Sequence, residues 1–184
     1  LVSTLQGITS RNRDPLKPLV VSLGAIHGGA APNVIPEEVV ISGTVRCFED
    51  GVREMAERRM REVTAGVCTA AGASAEISYL QGIPAVVNDG ALAELAIEVA
   101  GRTLGRERLV EIAPVMGGED FACYQQAVPG AFLFFGAGDG VANSHHHAGF
   151  DLDERALPEA TLLMTALALE FLARASSTGG GRAA

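Results

Sequence analysis

The chain has 184 residues, of which 48% are hydrophobic and 20% are charged, and its formal net charge is −8. This length suits one domain or two small ones, and the apolar content is sufficient for a core. An acidic chain repels phosphate backbones, so we expect no nucleic-acid partner. No apolar run approaches the roughly 20 residues that span a bilayer, so we expect no membrane association either.

Cysteine usage bears on the cellular compartment. Cys47, Cys68 and Cys123 are far apart and form neither a CxxC pair nor an even framework. This pattern is typical of free thiols under reducing conditions. No secretory signal is visible in the sequence. We therefore expect a cytoplasmic protein.

The first 80 residues alternate between helix and strand patterns. Apolar positions 1, 5 and 8 predict a helix without a capping residue at its start. The further predicted elements are a strand over 19–26, a strictly alternating strand over 39–48, a charged helix over 50–71 and a strand over 75–79. One more strand in front would complete the β-α-β-β-α-β order of a ferredoxin-like fold. The uncapped helix and the missing strand lead us to expect a truncated chain.

Residues 81–184 have a different character, with helices that alternate with short apolar segments. The predicted elements are helices over 90–104, 119–127 and 154–173 and extended segments over 110–113 and 131–135. The last of these segments lacks alternation, which is typical of a strand buried on both faces. Helices that alternate with buried strands predict an α/β layer.

Three of the four histidines are consecutive, at His145, His146 and His147, in a loop before the last predicted helix. Neutral imidazole is the commonest protein ligand for zinc, so this loop is a candidate metal site, with an ordinary polar loop as the alternative. Because neighbouring side chains diverge, at most one or two of the three would bind one metal. The fourth histidine, His27, lies at a strand end and is expected to be structural.

Two further stretches have residues suited to ligand binding. In Met116–Phe121, two glycines that permit close backbone approach precede two carboxylates. The alternative there is an ordinary helix N-terminus, where the helix dipole favours carboxylates. A turn-rich loop over 28–36 precedes Arg46, whose planar guanidinium suits a carboxylate at two points. The alternative for Arg46 is a weak surface ion pair.

Taken together, these stretches resemble the M20 metallopeptidase family, in its aminoacylase, hippurate hydrolase and auxin-conjugate hydrolase branch. The series is specific although no single motif is decisive, because order and spacing agree over nearly the whole chain. The matching stretches are Leu5–Gln6, Ser10–Arg11, Asp14–Pro15, His27–Gly29, Asn33–Pro36, Gly43–Arg46, Asn88–Asp89, Met116–Phe121, Pro129–Gly130, His146–His147, Phe150–Asp151, Asp153–Glu154 and Ala156–Leu157.

The resemblance implies a zinc-peptidase-like α/β catalytic domain into which a smaller ferredoxin-like lid is inserted. Residues 1–80 would be most of this lid and dimerisation domain, with its first strand missing. Residues 81–184 would be the C-terminal part of the catalytic domain. A homodimer through the lid is then expected.

The resemblance also implies roles for individual residues. His146 matches the family's C-terminal metal-binding histidine, and Arg46 matches the lid arginine that holds the substrate's carboxylate. Asn33 matches the asparagine of a lid turn close to the active-site cleft. Gly117 and Gly118 match the loop that approaches the bound substrate.

Some parts of the family pattern do not occur in this sequence. The Cys-x-His and Glu-Glu motifs, which supply the other metal ligands and the catalytic glutamate, are absent in the expected context. Ala148 stands where relatives often have Pro, and Gly118 stands where Ser is common. Glu119, His145 and His147 receive no role from the resemblance.

The implied activity is hydrolysis of the amide bond of an N-acyl amino acid or a small peptide by a longer enzyme. One or two divalent metals, such as zinc, manganese, cobalt or nickel, would polarise the carbonyl and activate a water. The general base would lie outside this sequence, so the chain by itself is expected to be inactive and to expose apolar surface. The alternative is a non-catalytic dimerisation or small-molecule-binding module.

Overall fold

A computed structural model of the chain describes residues 1–138, 140 and 145–179, with side chains as far as residue 176. The chain divides into two compact units. The first unit comprises Leu1–Ala85 together with Val115–Ala122, and the second comprises Val86–Pro114 together with Cys123–Ala184.

The first unit is built on two antiparallel strands, β1 (Leu19–His27) and β2 (Val40–Cys47). Their pairing runs from Leu19 opposite Cys47 to His27 opposite Val40, with an irregularity between Leu23 and Ala25. Both predicted strands are confirmed within one residue at each end. The alternation is also confirmed, because the side chains of β2 that face the core are half-buried and those between them are exposed.

A long helix, α2 (Asp50–Ala70), covers one face of this sheet, as its charged helical pattern predicts. A short helix, α1 (Val2–Leu5), and a π-helical turn, Ile8–Asn12, pack beside it. The buried core residues that these elements share are Leu5, Ile8, Leu19, Val21, Val52 and Ala56. The core residues of β1, Leu19 and Val21, point towards the helices. The opposite face of β1 and β2, which includes Val20 and Val40, is not covered by these helices and is called the open face here.

The strand predicted over 75–79 is wrong, since the structure has no regular element there. The exposure of its side chains nevertheless alternates, with Ile77 and Tyr79 half-buried between exposed neighbours. Its carbonyl at Ile77 accepts a hydrogen bond from Nη1 of Arg61 at 3.1 Å. The carbonyl of Ile77 thus accepts from a side chain of α2 and not from a neighbouring strand. In the described part of the chain the sheet has two strands. The ferredoxin-like strand order is accordingly not completed.

The second unit is organised around two helices, α3 (Gly90–Thr103) and α5 (Ala156–Gly179), which pack together. Their shared core consists of Leu95, Val99, Ala100 and Leu163. Asp89 directly precedes α3, and its Oδ1 accepts from the amide N–H of Leu92 at 3.0 Å. This is an N-cap of the kind that stabilises helix starts by about 1 kcal/mol. Both predicted helices are thus confirmed.

Two other predictions for this half of the chain need correction. The short helix predicted over 119–127 is confined to α4 (Phe121–Gln125). The segment 131–135 is not a strand. Burial on both faces is also wrong for this segment, because Leu133 is 38% exposed and Phe134 is 65% exposed. The mixture of helices with a sheet nevertheless confirms the broad α/β class.

The expectation that no apolar run approaches a bilayer's thickness is also corrected by α5. Over Ala156–Ser176 this helix is long and apolar enough, by length and composition, to cross a membrane, with a mean hydropathy of 1.5. Core helices pass the same test, so length and composition are weak grounds for a membrane span. The charged residues of α5 form ion pairs with neighbouring elements, as between Glu170 and Arg102 at 2.8 Å and between Arg174 and Glu98 at 2.8 Å.

Candidate functional site

The first unit brings Arg46 against the loop that contains the two adjacent glycines. Arg46 lies on β2 opposite Val20 of β1, on the sheet face away from α2. Its Nη1 donates a hydrogen bond to the main-chain oxygen of Met116 at 2.8 Å. Because 70 positions separate these residues along the chain, the contact is made by the tertiary fold.

Gly118 lies at the same place. A Cβ atom at this position would be 3.7 Å from Nη1 of Arg46 and 3.5 Å from Cδ1 of Ile83, which are ordinary van der Waals distances. At Gly117 no atom of the described residues lies within 4 Å of the corresponding position. The structure therefore brings together two predicted site residues, Arg46 and Gly118. The acceptor on Met116 could not be predicted, because every residue has a main-chain carbonyl.

The positive charge of Arg46 is not compensated by a carboxylate within the described ranges. Glu119, the nearest carboxylate along the loop, accepts instead from the amide N–H of Phe121 through Oε1 at 3.2 Å. Glu119 thus supports the start of α4. A guanidinium with an uncompensated charge suits an anionic ligand, and its planar fork matches a carboxylate at two points.

The thiol next to Arg46, that of Cys47, is half-buried and its protonated form is favoured. Burial raises the pKa of Cys47 above its usual value of 9.0, and Arg53 opposes this rise more strongly than Asp50 reinforces it. Its Sγ donates to the main-chain oxygen of Glu49 at 3.5 Å. Since the thiolate is the reactive and metal-binding form, a raised pKa keeps Cys47 inert at neutral pH.

Asn33 lies in an exposed turn between the two strands, closed by a bond from the amide N–H of Val34 to the oxygen of Ala31 at 3.3 Å. The following Ile35 is 93% exposed. The structure shows no hydrogen bond between Asn33 and Arg46. The proximity of Asn33 to a substrate therefore stays a prediction.

The histidine loop lies in the second unit, and its three imidazoles have different surroundings. His146 has a φ of 67°, a left-handed conformation that is uncommon for a residue other than glycine. Nδ1 of His147 accepts from the amide N–H of Gly149 at 3.0 Å, and the ring of His145 contacts Phe150 edge-on at 5.4 Å. His145 and His147 thus have different partners. Ser144, which precedes them, is outside the described residues.

The donor set does not fit a catalytic metal on this chain alone. Within residues 1–138, 140 and 145–176, no group of three or more histidine, cysteine or acidic side chains is arranged to hold an ion. Catalytic zinc normally has about three protein ligands. His146 can supply one, so its metal-binding role stays a prediction. His27, at the exposed end of β1, likewise belongs to no group of three metal-binding side chains among the described residues.

A second polar cluster surrounds Asn88 in the second unit. Gln125 accepts from the amide N–H of Val87 at 3.1 Å and donates to the oxygen of Gly130 at 3.0 Å. These residues line a shallow depression of about 390 Å³. Because their polar groups bond to one another, the cluster connects three segments of the chain and offers few unpaired groups to a ligand.

Comparison with known proteins identifies the family. The model of the M20/M25/M40 peptidase family matches residues 9–170. N-acetylcysteine deacetylase of Bacillus subtilis is 38% identical over 94% of this chain and 44% of its own length. The IAA-amino acid hydrolase ILR1-like 4 of Arabidopsis thaliana is 35% identical over 94% of this chain and 41% of its own length.

A solved structure agrees with these sequence matches. The YXEP protein of Bacillus subtilis, described as a dinuclear metal binding peptidase of the M20 family, is 36% identical with a TM-score of 0.75. The match covers 93% of this chain and 44% of that one. The chain thus spans less than half the length of the relatives it matches, and it belongs to the M20/M25/M40 family of peptidases.

Proposed function

We propose that this chain is part of a metal-dependent enzyme that hydrolyses the amide bond of an N-acyl amino acid or a small peptide. Water would split this bond into a carboxylic acid and a free amine. The observation that carries the proposal is the uncompensated guanidinium of Arg46 beside Met116 and Gly118, in a chain that matches the family model over residues 9–170. Both substrate classes have a terminal carboxylate, which is the group that such an arginine recognises best.

Within this proposal, Arg46 binds the substrate's carboxylate and thereby fixes the distance from that end of the substrate to the scissile amide. Gly117 and Gly118 allow the main chain to approach the substrate, since neither has a side chain to occupy the space. Asn33 contributes a further polar contact from its turn. His146 supplies one metal ligand, and the remaining ligands and the general base come from outside this chain.

The proposed domain assignment follows the family architecture. Residues 1–80 are the ferredoxin-like lid and dimerisation domain, and residues 81–184 are the C-terminal part of the catalytic domain. A homodimer would form through the lid, where Val20 and Val40 expose apolar side chains on the open face of the sheet. The three unpaired thiols agree with a reducing, cytoplasmic location.

A second candidate is a non-catalytic dimerisation or small-molecule-binding module. The observation that favours it is the lack, within the described part of the chain, of any three-donor group for a metal. In that case the chain would dimerise through the open face of β1 and β2, and the Arg46 site would bind a ligand without hydrolysing it. Small carboxylates would bind, but no bond would be broken.

The deciding experiment is an assay of the protein expressed from its complete reading frame. N-acetyl amino acids and dipeptides are offered with zinc, manganese, cobalt or nickel in turn, and each substrate is paired with its C-terminal amide. We expect hydrolysis of the carboxylate forms only. The variant Arg46→Ala should raise KM by about 10- to 100-fold, because a hydrogen bond to a charged group contributes roughly 1.5–3 kcal/mol.

The matched control is Arg11→Ala, which removes an exposed arginine away from the site and should leave KM unchanged. Equal turnover of the acid and the amide forms would contradict the role of Arg46. Carboxylate binding without hydrolysis under any metal would favour the second candidate.

A further inference from the structure

The main chain, and not a carboxylate, holds the guanidinium of Arg46 in place. Nη1 donates to the oxygen of Met116 at 2.8 Å, and none of the described carboxylates forms an ion pair with this arginine. Glu119, two residues further along the chain from Gly117, is bonded to the amide N–H of Phe121. The arrangement therefore restrains the guanidinium without neutralising it.

The bond engages only one side of the guanidinium. Arginine presents five N–H groups in a rigid plane, and those of Nε and Nη2 form one edge with two parallel donors. Within the described chain, Met116 is the acceptor found for Arg46, and it is bonded to Nη1 on the other side. The Nε–Nη2 edge can therefore bind a carboxylate at two points while the bond to Met116 persists.

We propose that the main-chain carbonyl of Met116 positions Arg46 so that its Nε–Nη2 edge binds the carboxylate of an N-acyl amino acid. This inference rests on the proposed function and adds a positioning group to it. An arginine side chain loses much rotamer freedom when a ligand immobilises it. A bond that already exists in the free protein removes part of this entropic cost before the substrate arrives.

The loop around Met116 is suited to this role. A Cβ atom at Gly118 would contact both Nη1 of Arg46 and the side chain of Ile83, so the main chain lies close against the guanidinium. Larger side chains at this position would crowd the arginine. The carbonyl dipole of Met116 also stabilises the positive charge, since bonds with one ionised partner are stronger than neutral ones.

The test weakens the Met116 carbonyl without changing a side chain, in the protein expressed from its complete reading frame. Gly117 is replaced by glycolic acid, its α-hydroxy analogue, which converts the preceding amide to an ester with a weaker acceptor oxygen. The matched control is the same replacement at Gly82, where neither the preceding carbonyl nor the amide N–H has a hydrogen bond in the described chain. Both variants keep every side chain of the protein.

Two readouts are used. In nitrogen-15 side-chain NMR, we expect separate Nη signals for Arg46 in the unmodified protein and in the Gly82 control. These signals should merge in the Gly117 variant because rotation of the guanidinium becomes faster. KM for an N-acetyl amino acid should rise about three- to tenfold in that variant, with a smaller change in kcat, as expected for loss of one hydrogen bond.

The sign of the KM change is decisive. A fall in KM would overturn the proposal, since it would show that Met116 competes with the substrate for Arg46. Unchanged NMR signals in the Gly117 variant would overturn it as well.

If no form of the protein hydrolyses any N-acyl amino acid, the proposed function fails, and this failure is distinct from failure of the inference. The inference is then tested by NMR titration of the protein with an N-acetyl amino acid and with its amide. A shift of the Arg46 Nε–H signal with N-acetyl amino acid alone supports the inference, and a shift with both this acid and its amide, or with neither, overturns it.

Discussion

The side chain of Asn88 binds both main-chain polar groups of Phe132. The amide N–H of Phe132 donates to Oδ1 at 2.8 Å, and Nδ2 donates to the oxygen of Phe132 at 3.0 Å. A side-chain amide thus makes the two hydrogen bonds that a neighbouring strand would otherwise provide. Both main-chain polar groups of Phe132 are therefore bonded although the residue belongs to no strand.

Asn88→Ala should therefore destabilise the second unit. It removes both bonds to Phe132, and we expect a loss of about 1 kcal/mol in the free energy of unfolding, because the site is exposed to water. Chemical denaturation measures this change. The control is Gln126→Ala, which alters an exposed side chain lining the same depression. Equal effects of the two substitutions would contradict the bonding described for Asn88.

Gly43 is required where β1 and β2 come closest. A Cβ atom there would lie 2.2 Å from the main-chain oxygen of Ser22 and 3.1 Å from Cα of Leu23, so the strands would have to separate. We expect Gly43→Ala to cost about 1–3 kcal/mol, the usual range for overpacking. Gly24→Ala is the matched control, since no atom in the described part of the chain lies within 4 Å of its Cβ position. Thermal unfolding distinguishes them, and a benign Gly43→Ala would refute the close approach.

The ion pair between Arg108 and Glu159 should make stability depend on pH. Its hydrogen bonds, of 2.8 Å and 2.5 Å, hold the pKa of Glu159 below its ordinary value of 4.5. A carboxylate whose pKa is lower in the folded than in the unfolded protein stabilises the fold at pH values above its unfolded pKa. For Glu159 this contribution is lost as the pH falls below 4.5 and through the lower pKa of the folded state.

Glu159→Gln should consequently lower the melting temperature at neutral pH and flatten its decline towards about pH 3. The change should be small because the pair is exposed and screened by water. Calorimetry across this pH range measures it, with Glu111→Gln as a control for loss of one exposed carboxylate. A decline of equal slope in the protein and in Glu159→Gln would show that the pair does not matter.

The exposed side of α5 should promote self-association of the chain. Leu162 and Leu169 are 54% and 64% exposed and lie two helical turns apart, so they share one apolar stripe. Exposed apolar stripes of this kind favour association. The double variant Leu162→Lys/Leu169→Lys should shift the sedimentation profile towards the monomer.

The control for this experiment adds the same charge elsewhere. Ala65→Lys/Thr69→Lys places two lysines at exposed positions of α2 and should leave the sedimentation profile unchanged. An equal shift in both double variants would attribute the effect to net charge and not to the stripe on α5.

Local patterns in the sequence predicted most of the regular elements. The alternation over 39–48 and the helical patterns over 50–71 and 90–104 correspond to β2, α2 and α3, because each element buries one of its own faces. The strands predicted over 75–79 and 131–135 failed, since a strand exists only with a hydrogen-bonded neighbour. Their neighbours are the side chains of Arg61 and Asn88, which no periodicity indicates.

The sequence by itself determined the family, most of the helices and the two paired strands, and it predicted Arg46 and Gly118 as site residues. These follow from residue type, order and spacing, which the linear chain contains in full. Only the tertiary structure decided that Arg46 meets the carbonyl of Met116, that Cys47 is a half-buried thiol with a raised pKa and that Glu119 serves the start of α4. Such contacts join atoms far apart in sequence or common to every residue, so they depend on packing and leave no local pattern.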